Sequence, residues 1–171
     1  DFGAFGIRAV TVPLYATSSE AQVHYILEDA QIRYLFVGEQ QQYDVAFRVM
    51  AISSSLKQIV VFDRDVKLDP QDQTTMYMDD FLALGKDGKY QQEVDKRTAE
   101  SQKDDLMNIL YTSGTTGESK GVMLSHAGYE SVMDAHCERF PGLGESDVVI
   151  NFLPFTHVFE RAWSCWCLCV G

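Results

Sequence analysis

No stretch of this sequence stays apolar long enough to span a bilayer, and it contains no internal repeat or low-complexity tract. Positive charge is scarce: 14 Lys and Arg stand against 25 Asp and Glu, a net charge of −11. No local Lys/Arg cluster reverses that balance, which excludes nucleic acid as a partner and disfavours charge-driven docking on anionic lipid. The first residues, Asp1-Phe2-Gly3-Ala4, lack the basic region and apolar core of a secretory leader. The four cysteines, Cys137, Cys165, Cys167 and Cys169, crowd toward the C-terminus, unlike a disulfide framework spread through a small secreted domain. Together these absences read as a reducing, cytoplasmic setting, with a peripheral place on the inner face of the membrane as the variant. The chain opens without Met. It stops at Gly171 with Trp163, Trp166, Leu168 and Val170 still to bury, so it is expected to be a piece of a longer protein.

What is present is the composition of a folded α/β protein. The apolar fraction is 46% of 171 residues, enough for a globular core. Ala9-Val10-Thr11-Val12 within Arg8–Tyr15 reads as a strand stopped by Pro13. Thr17 and Glu20 have capping-box spacing ahead of a helix whose inner face is Val23, Ile26, Leu27 and Ala30. Ile32–Val37 reads as a second strand, Val45, Val49 and Ile52 as one face of a second helix, and Ile59–Phe62 as a third strand. This order predicts parallel-sheet βαβ units over residues 1–85, closed by a short helix at Asp79–Leu84. Residues 86–105 turn polar and read as a surface connection, partly helical at best. Residues 106–171 begin with a strand, Leu106–Tyr111, and resume after a loop with a short strand, Val122-Met123-Leu124. Ser125 is placed to cap a helix with Val132, Met133, Cys137 and Phe140 inward, and Val148–Leu153 reads as a further strand.

The loop between those strands carries the chemistry. Thr112-Ser113-Gly114-Thr115-Thr116-Gly117-Glu118-Ser119-Lys120-Gly121 holds three glycines, five hydroxyls and one lysine. Glycines let the backbone approach an anion with N–H groups outward, hydroxyls add donors, and Lys120 adds charge. On so acidic a chain this is the stretch suited to a polyphosphate, although the composition also suits a hydroxyl-rich hairpin loop without function. A Walker A loop needs glycine before its lysine, Ser or Thr after it, and a helix next. Here Ser119 precedes Lys120, Gly121 follows, and a strand comes next, which excludes that class and with it the phosphotransferases that use it.

Tyr111 to Gly121 resembles the phosphate-loop signature of the adenylate-forming superfamily, with Ser119 where those families usually carry proline. Upstream, Val12-Pro13-Leu14-Tyr15-Ala16-Thr17-Ser18-Ser19 resembles the segment before an early helix of long-chain fatty acyl-CoA synthetases. Downstream, Leu153-Pro154-Phe155-Thr156-His157-Val158-Phe159-Glu160-Arg161 resembles their next core motif, and Phe159-Glu160-Arg161 is closest in kind to the long-chain branch. The resemblance implies part of the N-terminal adenylation domain of a fatty acid–CoA ligase. Such an enzyme uses ATP, Mg²⁺ and coenzyme A, the last two held mainly by parts outside these residues. It further implies that Thr112, Ser113, Gly114, Thr115, Thr116, Gly117 and Lys120 hold the β- and γ-phosphates, with Lys120 and His157 catalytic and His157 beside the acyl and adenylate pocket. The acidic Mg²⁺ motif, the ribose aspartate and the distal lysine of that family have no counterpart here, so the 171 residues alone are expected to be inactive. Two alternatives remain at this level: another acyl- or aryl-CoA ligase of the superfamily, or a stand-alone nucleotide- or acyl-binding module.

The remaining chemistry-bearing residues read blandly. Cys165-x-Cys167-x-Cys169 lacks the two- to four-residue spacers that zinc prefers and lies among tryptophans, so no metal is expected there. Its alternation would put all three thiols on one face of a strand and scatter them on a helix. His126 reads as part of a helix start, and His24 and His136 as helix-surface or core residues.

Overall fold

The computed structural model describes residues 1–112 and 119–170. In chain order the elements are α1 (Phe2–Gly6), α2 (Glu20–Asp29), β1 (Tyr34–Val37), α3 (Gln40–Met50), β2 (Gln58–Val61) and β3 (Met76–Tyr77). There follow α4 (Met78–Ala83), α5 (Gln91–Ala99), β4 (Leu106–Thr112), β5 (Lys120–Ser125), α6 (His126–Arg139) and α7 (Val158–Val170). The chain forms two compact units: a middle unit, Ala16–Glu93, and a split unit made of Asp1–Tyr15 with Val94–Gly171. The polar stretch 86–105 carries α5, which runs across the boundary between them.

In the middle unit β1, β2 and β3 form an all-parallel sheet in that order, the arrangement expected of βαβ units. Leu35 and Val37 of β1 and Ile59, Val60 and Val61 of β2 are buried with Val23, Ile26 and Leu27 of α2. The short strand β3 pairs Val60 with Met76, a pairing too brief for hydrophobic periodicity to reveal. Two details differ from the sequence expectation. The cap of α2 is Ser19, whose Oγ accepts from Gln22 N–H at 3.3 Å while Gln22 Oε1 accepts from Ser19 N–H at 2.9 Å. Glu20, expected to complete a box with Thr17, is instead the first helical residue and pairs with Arg48 at 2.8 Å. The buried face of α3 is Tyr43, Ala46 and Val49, not Val45, Val49 and Ile52; Ile52 lies beyond the helix and is exposed. Tyr43 is accepted into the core because its hydroxyl is satisfied, donating to Asp72 and accepting from Asp69 N–H, both at 2.8 Å. Burial, chiefly, pushes that phenol up to about 12.

Glu28, near the end of α2, ties the turn at 53–55 to the helix. Its carboxylate accepts from the Ser53 and Ser54 hydroxyls at 2.5 Å and from Ser54 N–H at 3.0 Å. Those donors, Ser53 first and Ser54 next, lower it from the ordinary 4.5 to about 2. A depressed carboxyl contributes stability above its unfolded pKa and loses it as pH falls toward the folded one. Glu28→Gln is therefore expected to lower the thermal midpoint at pH 7, and the gap to the parent should close as pH falls from 4.5 to about 2. Melts across that window check it, and a gap independent of pH would contradict the role assigned to the charge.

In the split unit β4 and β5 form an antiparallel hairpin with Tyr111 opposite Gly121 and Thr112 opposite Lys120. The strand expected at Ala9–Val12 reduces to a single parallel bridge, Thr11 to Asn108. Arg8 has a left-handed φ of 58°, which no strand can continue through, and Pro13 has no N–H to donate. The Arg8 guanidinium instead grips Asp105 with two 2.8 Å hydrogen bonds, and that contact holds the Asp105 carboxyl below its usual range. Ser125 caps α6 as expected, accepting from Gly128 N–H at 3.4 Å. The inward face of α6 is different: Tyr129 is its buried residue, while Val132, Cys137 and Phe140 are exposed. Tyr129 hydroxyl accepts from buried Asn108 Nδ2 at 2.8 Å, which fixes α6 over β4.

No strand forms over 148–153; Val148, Ile150 and Phe152 are exposed. Side chains of α7 hold this segment in place of a ladder. Asn151 Nδ2 donates to Ser164 Oγ at 3.1 Å, Leu153 N–H donates to Glu160 Oε2 at 3.1 Å, and Arg161 Nε donates to Phe155 O at 3.1 Å. Between α6 and α7 lies an aromatic cluster. Trp166 has its ring centroid 5.3 Å from His136, 5.2 Å from Trp163 and 5.9 Å from Phe140, and its Nε1 donates to Cys137 Sγ at 3.2 Å.

Candidate nucleotide-binding site

The hairpin brings two of the expected site residues together. Leu110 is buried and anchors β4, so the strand emerges at Thr112, where the partner across the ladder is Lys120. Directly paired residues project from the same face, so the Thr112 hydroxyl and the Lys120 ammonium leave the hairpin side by side. Both are exposed, and Thr112 Oγ1 reaches Lys120 O at 3.5 Å, the long limit of a hydrogen bond. Ser113, Gly114, Thr115, Thr116 and Gly117 lie outside the described residues. A hydroxyl and an ammonium with no carboxylate in the donor pair suit a polyanion. A strand follows Lys120, as the sequence spacing required.

His157 stands at the start of α7. Its backbone O accepts from Arg161 N–H at 3.2 Å and its ring Nδ1 accepts from Phe159 N–H at 3.2 Å, so the ring caps the helix. With Nδ1 accepting, the neutral ring carries its proton on Nε2, which is left as the donor. These bonds are local to residues 154–161, and the described geometry joins His157 to neither Thr112 nor Lys120 by a hydrogen bond. Phe155, two residues earlier, lines an open cavity of about 550 Å³ shared with Phe2, Leu143, Val149, Arg161 and Leu168.

Glu160 and Arg161 matter more than their sequence positions advertised. Both are buried on α7, the Glu160 carboxylate accepting also from the Ser164 hydroxyl and the Arg161 guanidinium pairing with Asp1. Burial lowers the pKa of Arg161. The available signal was two adjacent charges inside an otherwise apolar helix, where an unpaired charge is costly. The cysteines sit on α7 as well, where 100° per residue puts Cys165 and Cys169 near one face and Cys167 near the other. Burial raises the Cys165 and Cys167 thiols. Among the described residues no three His, Cys, Asp or Glu side chains gather as a metal site, and no helix is long and apolar enough to cross a membrane.

The α/β scaffold is that of the N-terminal domain of adenylate-forming ligases. It superposes on a candidate long-chain-fatty-acid CoA ligase of Rhodopseudomonas palustris with a TM-score of 0.71. That match covers 98% of this chain and 38% of the other, at 15% identity. The chain belongs to the AMP-binding enzyme family, whose model matches residues 1–171. It is 32% identical over 162 residues to long chain acyl-CoA synthetase 5 of Arabidopsis thaliana, covering 88% of this chain and 23% of that protein. It is 31% identical over 172 residues to the long-chain-fatty-acid–CoA ligase ACSBG2 of Homo sapiens, covering 96% of this chain and 24% of that one. The chain thus spans about a quarter of the length of these relatives.

Proposed function

We propose that residues 1–171 are part of a long-chain fatty acid–CoA ligase and carry the phosphate-binding portion of its adenylation site. The observation that supports this most is the direct pairing of Thr112 with Lys120 at the open end of the hairpin, in a chain that the AMP-binding family model matches throughout. In the reaction so assigned, a fatty-acid carboxylate oxygen attacks the α-phosphorus of ATP. The bond to the bridging oxygen breaks, and pyrophosphate leaves with the electron pair. The coenzyme A thiol, losing its proton, then attacks the acyl carbonyl and AMP departs, which forms the carbon–sulfur bond. Thr112, Ser113, Gly114, Thr115, Thr116, Gly117 and Lys120 are assigned to the departing phosphates, where donors strengthen as charge develops. Mg²⁺ would neutralise phosphate charge there; no carboxylate set for it is gathered among the described residues. The compartment assigned with this reading is the cytoplasm, with a peripheral place on the inner face of the membrane as the variant.

His157 is assigned to the acid side of the site. What supports this is the Nε2–H donor left by its capping bond, together with Phe155 on the wall of the apolar cavity. The complete protein is expected to catalyse ATP–pyrophosphate exchange that depends on a long-chain fatty acid. His157→Ala should raise the fatty-acid KM or lower turnover while leaving ATP affinity within about twofold. Absence of exchange in the complete protein refutes the ligase reading; an effect confined to ATP relocates His157.

A further inference from the structure

Gly121 closes the phosphate-loop signature and is not among the residues assigned to the phosphates. Its backbone does not lie in the left-handed region, so conformational freedom is not what the position demands. Space is. A Cβ added at Gly121 would stand 2.8 Å from Ile109 Cγ2, 3.1 Å from Tyr111 Cζ and 3.3 Å from Tyr111 Oη. The first of these is closer than side-chain carbons approach one another, and the atom concerned is a β-branched methyl with little freedom to move. Tyr111 is the direct cross-strand partner of Gly121, and Ile109 is two residues earlier on the same face of β4. The ring of Tyr111 therefore occupies the volume that any side chain at 121 would need, an aromatic lying across a glycine in a paired strand.

The next pair outward is Thr112 with Lys120. One residue of register, or a few tenths of an ångström in strand separation at Tyr111 and Gly121, passes directly to those two donors. Because β5 is paired on the β4 side over Lys120–Ser125, the packing of this last interior pair is what sets the ribbon at its mouth.

We propose that Tyr111 and Gly121 form a positioning pair: the ring seated over the glycine fixes the hairpin so that Thr112 and Lys120 face the phosphates together. This rests on the ligase reading above and adds to it a requirement at two residues that the reading does not assign to the phosphates. Gly121→Ala should force the ring and the Ile109 methyl apart from β5 and displace the Lys120 side of the pair. A small misplacement of donors costs about tenfold or more in rate.

The test uses the complete ligase, with initial-rate KM for ATP, KM for fatty acid, turnover in ATP–pyrophosphate exchange, and thermal midpoint measured for each variant. Gly121→Ala is expected to lower exchange turnover over KM for ATP about tenfold. The fatty-acid KM should stay within about twofold and the midpoint within about 3 °C. Tyr111→Ala, which removes the ring, should resemble Gly121→Ala. The decisive variant is Ile109→Leu with Gly121→Ala. Moving the branch from the β- to the γ-carbon removes the methyl at 2.8 Å, so this double variant should regain several-fold of the lost activity. Parent-level activity in Gly121→Ala, a double variant no better than the single one, or equal damage to both substrates with a large drop in midpoint each overturns the proposal. Lys120→Ala measured alongside separates the two readings. If it is impaired while Gly121→Ala is not, only the positioning pair fails; if both behave as the parent, the phosphate-loop assignment fails as well.

Discussion

Lys120→Ala in the complete ligase is expected to lower the rate of fatty-acid adenylation by at least roughly tenfold, with Thr115→Val in the same range. The expectation begins with charge. On the proposed reading ATP approaches a segment of net charge −11, so these residues supply no long-range attraction and rely on donors at contact distance. The ammonium of Lys120 and the hydroxyl of Thr112 leave the hairpin on one face, and the loop hydroxyls follow in sequence. As the bond at the α-phosphorus breaks, negative charge collects on the pyrophosphate, so donors already aimed there stabilise the transition state more than bound ATP. Removing one donor of this kind typically costs about 10²–10³ in turnover, and exposure of Lys120 moves the expectation to the lower end. Thiolysis of a supplied acyl-adenylate should fall less, because no pyrophosphate departs in that step. Single-turnover adenylation and thiolysis, measured separately, check this, and a Lys120→Ala enzyme that adenylates at the parent rate would reduce the loop to a hairpin without chemistry.

The second large effect concerns stability. Trp166 is 1% exposed and packs against His136, Trp163 and Phe140, with its indole N–H donated to Cys137. Trp166→Ala removes the largest fully buried side chain and leaves a cavity between α6 and α7, a change that costs about 3–5 kcal/mol in comparable cores. For a chain of this length that corresponds to a fall in thermal midpoint of roughly 6–20 °C. Trp166→Phe keeps a ring and forfeits the hydrogen bond, so its loss should be much smaller. Calorimetry on the 171-residue chain distinguishes them; near-equal midpoints for the parent and the alanine variant would mean that this cluster does not hold the helices together.

Much of the fold could be read because its signals are local. Val23, Ile26 and Leu27 repeat at helical spacing, Ile59-Val60-Val61 is a continuous apolar run, and both drive burial wherever they sit. Local spacing does not disclose the structure where distant partners decide it. Val148–Leu153 has strand composition, yet its backbone is met by Glu160 and its Asn151 side chain by Ser164 rather than by another strand. Val45 and Ile52 looked like a helix face, but burial follows Tyr43, whose hydroxyl finds partners at residues 69 and 72 that spacing within the helix cannot disclose. At the candidate site the spacing from Thr112 to Lys120 was legible, and so was the strand after it. The crowding over Gly121 was not, because it depends on a side chain ten residues earlier being folded back across the ladder.

The division of the chain also sets an order of assembly during synthesis. The middle unit, Ala16–Glu93, is continuous and its sheet neighbours are joined by short crossovers, so it can close as soon as it has left the ribosome. The split unit cannot. Arg8 must wait for Asp105, 97 residues later, and Thr11 for Asn108. Until then residues 1–15 have only one another as partners within their own unit, as where Phe5 N–H donates to Asp1 O, and each of the distant meetings carries the entropy of closing a long loop. A folded middle unit leaves fewer disordered residues between those partners, so folding of residues 16–93 is expected to hasten the joining of the split unit. Substitutions that destabilise the middle unit should therefore slow the formation of the β4–β5 hairpin's docking with residues 8–11, even where they touch none of it.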